Sequence, residues 1–390
     1  MNRPFIYILM CILCLGCAKL EGPDVLEVVG DDVRTVIIGD LYRLGESTKG
    51  LNINLPEVNS MMKLRGVDFY RVAAISYSPS KSAIVISMLL PKVVRKSLGD
   101  PLLSDSVASI YAASGNTYFV TDNSILWMVD SFDGPEGALE KVSELRAYAK
   151  KPLTAWKRER LASYHLLSFL TGYGSDFVYG ELNEEKARVD FNAWCLDSVG
   201  NSALWLPSDD WQILPRDLGR IDPRNDISLA IGEISLTRAL SSLPKGFNVS
   251  RFRGFFDGIE KVGPINIAFN GLDAFRITIC TPEFSASEKI SEKLEDLSNF
   301  APGLKIERTD STVIIETSRN APSLFGTSYT GCNLAFVVNI NSEEMEKIMG
   351  EGVPGLNAAV VMHGATLDGY AAFSESRESF IHTLLRLLLD

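Results

Sequence analysis

Acidic and aromatic side chains cluster at one point of the chain, where they could act on a sugar. The stretch SALWLPSDDWQ places the adjacent carboxylates Asp209 and Asp210 between Trp205 and Trp211. Most glycosidases use two carboxylates that flank the bond to be cut, and an indole ring offers a flat apolar face. The cluster predicts a carbohydrate platform or a weak cation site. The alternative is that the two tryptophans pin a loop to a domain junction.

The chain has three histidines, His165, His363 and His382. The local patterns place His165 and His382 in helices, and His363 at the end of a strand, beside Gly364. None has a second His, Cys or carboxylate at the spacing that metal sites use, so the sequence predicts neither a metal site nor a cofactor. We expect structural roles for all three, with His363 as the candidate if one of them acts in catalysis.

Three of the six cysteines lie outside the N-terminal segment, namely Cys195, Cys280 and Cys332, and these are far apart in strand-like sequence. Their spacing matches no metal or redox motif, and they allow at most one disulfide. We expect them to be small buried thiols. An oxidised pair of Cys280 and Cys332 is the alternative.

Composition places the chain among globular proteins, because 46% of its residues are hydrophobic and 22% are charged. Its net charge of −11 argues against nucleic-acid binding, which needs a basic patch to neutralise phosphates. Positive charge is concentrated in residues 150–160 (KKPLTAWKRER). We interpret this tract as a solvated helix face, with an anion site as the alternative.

A similar series of elements starts three times, near Val33, Ile227 and Asn333. Each copy begins with strand-like apolar residues, continues with helical spacing, and is followed by a hairpin pattern and a second helix. The sequence therefore predicts an internal repeat of strand-helix-hairpin-helix units. We expect an α+β fold in which these units form antiparallel sheets with helices packed on one face.

Local signals predict further elements and one boundary. Tight turns are expected at Ser78-Pro79-Ser80 and at Asp122-Asn123, and a helix is expected over residues 156–170. Residues 201–226 contain three prolines and no periodicity, so the division between domains is placed near Leu218. The predicted domains are residues 31–218 and residues 219–390, the second with the internal repeat.

The N-terminus carries a targeting signal. Arg3 precedes an apolar run over residues 4–16 that is shorter than the about 20 residues a membrane-spanning helix needs, as in a signal peptide. The end of this run, Leu13-Cys14-Leu15-Gly16-Cys17, resembles the lipobox of bacterial lipoproteins. The resemblance implies a signal peptide over residues 1–16, acylation of Cys17, including palmitate, and a tether over residues 17–30. Ala18, where an Asp would favour the inner membrane, points to the outer membrane of a Gram-negative bacterium. An ordinary secretory signal cut elsewhere is the alternative.

The layout after the lipobox resembles uncharacterised bacterial lipoproteins that carry a domain of unknown function. This resemblance implies an envelope location and an α+β fold, and brings no catalytic residues. We predict a cell-envelope lipoprotein, anchored to the membrane by lipid on its periplasmic or its surface side. It would be a non-catalytic binding or scaffold protein whose partner is an envelope protein or glycan.

Two other functions stay open at this point. One is an envelope hydrolase of polysaccharide or peptide that uses Asp209, Asp210 or His363. The other is an assembly factor with an exposed apolar groove between its domains.

Overall fold

The computed structural model describes most of the chain after residue 22. The described residues are 23–47, 49, 51, 60–105, 107–203, 213–214, 216, 218, 220–222, 224–235, 259–271, 274–281, 284–298, 303–317, 321–323, 327–350 and 352–389.

Two compact units make up the chain. The first comprises residues 1–43 and 52–163, and the second comprises residues 44–51 and 164–390. The boundary predicted near Leu218 falls inside the second of these units. A division into compact units does not by itself test the predicted domains, and the domains 31–218 and 219–390 stay a prediction.

Among the described residues of the first unit, seven antiparallel strands pair side by side, in the order β1-β2-β3-β7-β6-β5-β4. The strands are β1 (Thr35–Gly39), β2 (Val67–Ser78), β3 (Lys81–Met88), β4 (Leu103–Ser104), β5 (Ala108–Ser114), β6 (Thr117–Asp122) and β7 (Ile125–Asp130). A 3-10 helix at Val25–Val28 accompanies the helices α1 (Leu41–Ser47), α2 (Pro91–Leu98), α3 (Gly134–Tyr148) and α4 (Ala155–Ala162). Helix α1 begins in the first unit and ends in the second.

One face of this first sheet packs against α3. The strands alternate, so Ile75, Val85 and Trp127 point to the same side, where each is at most 2% exposed. Tyr148 of α3 stacks on Tyr77 of β2 on that side, with 4.1 Å between the ring centroids.

The opposite face of the first sheet is only partly covered. At one end, Val72, Ile86 and Leu126 pack in a buried cluster with Val94 of α2 and with Met61. The other end of this face, towards the start of β1, forms the groove described below.

In the part of the second unit that the structure describes, eleven antiparallel strands pair in the order β8-β9-β10-β23-β22-β21-β13-β16-β17-β19-β18. They are β8 (Leu167–Tyr173), β9 (Asp176–Glu185), β10 (Arg188–Leu196), β13 (Ile227–Ile231), β16 (Ile265–Asn270), β17 (Ala274–Cys280), β18 (Leu304–Arg308), β19 (Thr312–Thr317), β21 (Leu334–Ile340), β22 (Leu356–His363) and β23 (Thr366–Phe373).

Short strands and three helices complete the described part of the second unit. The short strands are β11 (Ile213–Leu214), β12 (Arg220–Ile221), β14 (Glu233–Ser235), β15 (Lys261–Val262) and β20 (Thr327–Ser328). The helices are α5 (Phe284–Ser298), α6 (Ser342–Met349) and α7 (Phe380–Leu389). Among the described residues, no helix has both the length and the apolar character needed to cross a membrane.

The order strand, helix, hairpin, helix occurs from β1 to α2 and again from β21 to α7. From β13 to α5 the strand, the hairpin and the closing helix are present, and residues 236–258 lie outside the described part. The strands that open the second and third copies, β13 and β21, pair directly, with Leu229 opposite Phe336.

The predicted α+β class, with repeated units forming antiparallel sheets and helices packed on one face, is wrong. Among the described residues, 46% lie in strands and 25% in helices, so the chain is mostly antiparallel β. Residues 156–170 illustrate the cause. The predicted helix ends at Ala162, and Leu167 already lies in β8, paired with Leu182 of β9. Apolar residues in this short segment fit helical spacing locally, and the cross-strand pairing decides the outcome.

Candidate ligand-binding site

The residues of the predicted carbohydrate platform lie outside the described part of the chain. These residues are Trp205, Asp209, Asp210 and Trp211, and Cys17, the predicted site of acylation, also lies outside it. Their roles stay predictions.

His363 ends β22, where it is exposed beside a buried thiol. The Sγ atom of Cys332 lies 3.5 Å from Nδ1 and 3.8 Å from Nε2 of His363. Cys332 is only 2% exposed, and this burial raises the pKa of its thiol. A nucleophilic cysteine needs a lowered pKa, so the geometry pairs the imidazole with a protonated thiol instead of an activated nucleophile.

His165 lies just before β8 and not in a helix, contrary to the sequence-based prediction. Its Nδ1 atom is 2.8 Å from the side-chain nitrogen of Asn183, and its Nε2 atom is 3.2 Å from a carboxylate oxygen of Glu181. The hydroxyl of Tyr179 donates to the other oxygen of Glu181 at 2.6 Å. Both ring nitrogens therefore serve to join the segment before β8 to β9.

His382 lies in α7 as predicted, and its ring also has neighbours on both sides. The Nδ1 atom is 3.1 Å from the backbone carbonyl oxygen of Ser47, and the Nε2 atom is 3.6 Å from a carboxylate oxygen of Glu378. These contacts fix the ring between two segments of the second unit.

Cys195, Cys280 and Cys332 are free thiols. Within the described ranges, His, Cys, Asp and Glu side chains do not come together in the groups of three or more that could hold a metal ion.

A groove of about 290 Å³ lies on the partly covered face of the first sheet. Residues of the neighbouring strands β1, β2, β3, β7 and β6 line it. Most of them are alternate residues, because alternate side chains of a strand point to one face, and Ile75 and Ala83 also contribute to the lining. The strands form the floor by pairing in register, with Ile37 opposite Ala74 and Ile84 opposite both Ala74 and Met128.

Two parallel rows of side chains run across the strands in this groove. The apolar row consists of Ile37, Ala74, Ile84 and Met128. The polar row consists of Thr35, Ser76, Ser82, Asp130 and Thr117. Four strands about 4.8 Å apart make the apolar row about 14 Å long. Ile37 is 38% exposed, so the apolar row is open to solvent at β1.

Asp130 is the titratable residue among the described residues that line the groove. Its Oδ1 atom accepts a hydrogen bond of 2.6 Å from the hydroxyl of Thr117, which lies directly opposite on β6. Thr117 is 6% exposed, so its hydroxyl orients one oxygen of the carboxylate from below, while Asp130 itself is exposed to solvent. Lys141 of α3, which packs on the other face, donates to the backbone carbonyl of Asp130 at 3.1 Å.

The groove combines preformed walls with two kinds of contact. Small-molecule sites are typically concave and largely preformed, with an apolar lining and a few placed polar groups. The two rows supply aliphatic contact along one side and hydroxyl and carboxylate groups along the other. This arrangement suits a small amphipathic molecule.

Sequence reasoning missed this site. In each of β1, β2 and β3 a hydroxyl residue lies two positions from an apolar residue, and this spacing was the available signal. The pairs are Thr35 and Ile37, Ser76 and Ala74, and Ser82 and Ile84. This spacing shows that each strand has a mixed face. It does not show which strands become neighbours.

No family model matches this chain, and a search of curated proteins found no significant match. The function is therefore argued from the residues themselves.

Proposed function

We propose that this protein is a lipid-anchored protein of the bacterial cell envelope that binds a small molecule without transforming it. Its location rests on the first seventeen residues, in which a short apolar run leads to Gly16 and Cys17. Its binding role rests on one observation, the groove with an apolar row beside a polar row.

The groove supports binding because its walls are built on rigid paired strands. Ala74 and Ile84 lie directly opposite each other in the β2–β3 hairpin, and Met128 follows on the next strand. A site fixed in this way loses little conformational freedom when a ligand enters. A volume of about 290 Å³ is close to the lower end of the range typical of small-molecule sites.

The anchor is tested by metabolic labelling with an alkyne analogue of palmitate in a Gram-negative host. We expect label on the full chain and none on the Cys17→Ala variant, since that thiol is the acylation site. The Cys11→Ala variant, which also removes a cysteine from the N-terminal segment, should keep the label. Label that persists in Cys17→Ala would place acylation elsewhere and contradict the lipobox.

The binding role is tested by thermal unfolding of the mature chain, residues 17–390, with Cys17→Ala so that no acyl chain competes. A panel of small amphiphiles is added, and a ligand that binds the folded state raises the midpoint. Ala74→Leu fills the groove from its floor and should remove the shift. Ala155→Leu makes the same change at an exposed position of α4 and should keep it.

Two results would contradict the binding role. One is a panel in which no compound shifts the midpoint. The other is an equal shift in wild type and Ala74→Leu, which would place the bound molecule outside the groove.

A further inference from the structure

We propose that the groove selects ligands that carry a protonated nitrogen, bound at Asp130, on an aliphatic chain that lies along the apolar row. This inference rests on the proposed binding function and adds the charge of the ligand and its orientation.

The charge follows from what lines the groove. Ser76 and Ser82 are neutral, so Asp130 supplies the formal charge among the described lining residues. A cationic head gains a charge-assisted hydrogen bond at this carboxylate, whereas an anionic head meets a like charge. Charge complementarity therefore favours an ammonium group.

One oxygen of the Asp130 carboxylate is hydrogen-bonded within the protein, and the other is available to a ligand. Its Oδ1 atom accepts from Thr117, and its Oδ2 atom has no hydrogen-bond partner among the described residues. Lys141 reaches the backbone carbonyl of Asp130 from α3, on the other face of the sheet, and does not line the groove. The Oδ2 atom is thus left to accept from a ligand.

The orientation follows from the two rows. Met128 precedes Asp130 by two residues on β7, so the end of the apolar row lies beside the carboxylate. A chain that starts at Asp130 can run over Met128, Ile84 and Ala74 towards Ile37, a distance of about 14 Å. Hydroxyls of the polar row then flank the chain on one side.

The experiment compares three probes of ten carbons each that have different head groups, namely decylamine, decanol and decanoate. Binding to the mature chain with Cys17→Ala is measured by titration calorimetry at pH 7, below the concentrations at which the probes form micelles. The amine is protonated there, because an alkylammonium has a pKa of about 10.4, as in lysine. We expect decylamine to bind at least tenfold more tightly than decanoate, with decanol between them.

Two matched variants assign the preference to Asp130. Asp130→Asn should weaken the affinity for decylamine about tenfold and change the affinity for decanol less than twofold. Asp133→Asn makes the same change in charge three residues away, at an exposed carboxylate whose side chain makes no cap hydrogen bond to α3, and should change neither probe more than twofold.

The outcomes separate this inference from the proposed function. If the three probes bind alike and Ala74→Leu abolishes all binding, the groove is a binding site and the selection of cations is wrong. Tightest binding of decanoate would also overturn the inference. If none of the probes binds, the inference fails, and the panel of small amphiphiles alone decides the binding function.

Discussion

The ammonium nitrogen of Lys157 lies 3.1 Å from the Oδ1 atom of Asp31 and donates to the backbone carbonyl of the same residue at 2.8 Å. Lys157 is only 4% exposed, although the tract around it was predicted to be a solvated helix face. This pair of a buried lysine and a partly buried aspartate joins α4 to the segment before β1 within the first unit.

Removing the lysine should therefore destabilise the protein. Lys157→Ala removes the buried ammonium beside the Asp31 carboxylate, which keeps the exposed Lys151 at 3.7 Å and the backbone N–H of Thr154 as neighbours. Losing a hydrogen bond to a charged group costs about 1.5–3 kcal/mol, and we expect a loss in that range. Urea titration measures the free energy of unfolding. Lys150→Ala, at an exposed position of the same tract, should stay within about 0.5 kcal/mol of wild type. Equal effects of the two substitutions would show that Lys157 does not act as a buried partner.

The same pair predicts how stability depends on pH. Burial alone would raise the pKa of Asp31, but the hydrogen bonds from the backbone of Thr154 and from Lys157 outweigh burial and lower it. The carboxyl therefore has a lower pKa when folded than the about 3.9 of an unfolded aspartate. Its contribution to stability is present above about pH 4 and is lost as the pH falls through the folded pKa.

Asp31→Asn tests this dependence because an amide does not titrate. We expect the variant to be less stable than wild type at pH 6, and the difference to shrink as the pH is lowered from 4 towards 2. Urea midpoints at each pH measure it. A difference that is constant over this range would contradict a lowered pKa.

Local turns of this fold could be predicted from the sequence. The turn at Asp122-Asn123 was predicted, and Asn123 connects β6 to β7 with a φ of 48°, a left-handed conformation that asparagine tolerates. Pro79 and Ser80 connect β2 to β3 as predicted. Turn chemistry depends on neighbouring residues alone, and this is why it can be read from one sequence.

The pairing of distant strands could not be predicted in this way. Met128 meets Ile84 only because β7 pairs with β3, across a separation of about 40 residues in the chain. The groove exists because of this register, and an alternating pattern does not specify the neighbour of a strand. For the same reason the fold class was wrong, since apolar segments such as residues 167–170 become strands when a partner is present.

The reactivity of the three cysteines tests whether their thiols are buried and protonated in the second unit. Burial raises the pKa of Cys195, Cys280 and Cys332, so each thiol is largely protonated near neutral pH and reacts slowly. With Cys17→Ala in the mature chain, a chromogenic disulfide reagent should react slowly with the native protein and titrate three thiols in urea.

This titration also decides the predicted alternative of a Cys280–Cys332 disulfide. An oxidised pair would leave one reactive thiol in urea instead of three. His363→Ala serves as a control for activation. Because the thiol of Cys332 is protonated, loss of the imidazole should leave the native reaction slow.

Two glycines of the second unit should differ in how much stability the protein loses when each is replaced by alanine. Gly369 on β23 lies opposite Phe191 on β10, and an added Cβ would overlap that ring and lie 2.7 Å from the carbonyl oxygen of Ala359. Overpacking of this kind costs about 1–3 kcal/mol. Gly364, in the turn between β22 and β23, has a φ of 59° and open space around its Cβ position.

In Gly364→Ala the added Cβ meets no neighbour, and the loss of stability comes from the left-handed backbone alone, at about 1 kcal/mol. Urea unfolding should therefore rank Gly369→Ala as the more destabilising change. In the Phe191→Leu background the ring is gone, so the cost of Gly369→Ala should fall while that of Gly364→Ala stays the same. An unchanged cost of Gly369→Ala in that background would mean that the ring does not set the limit on space at this position.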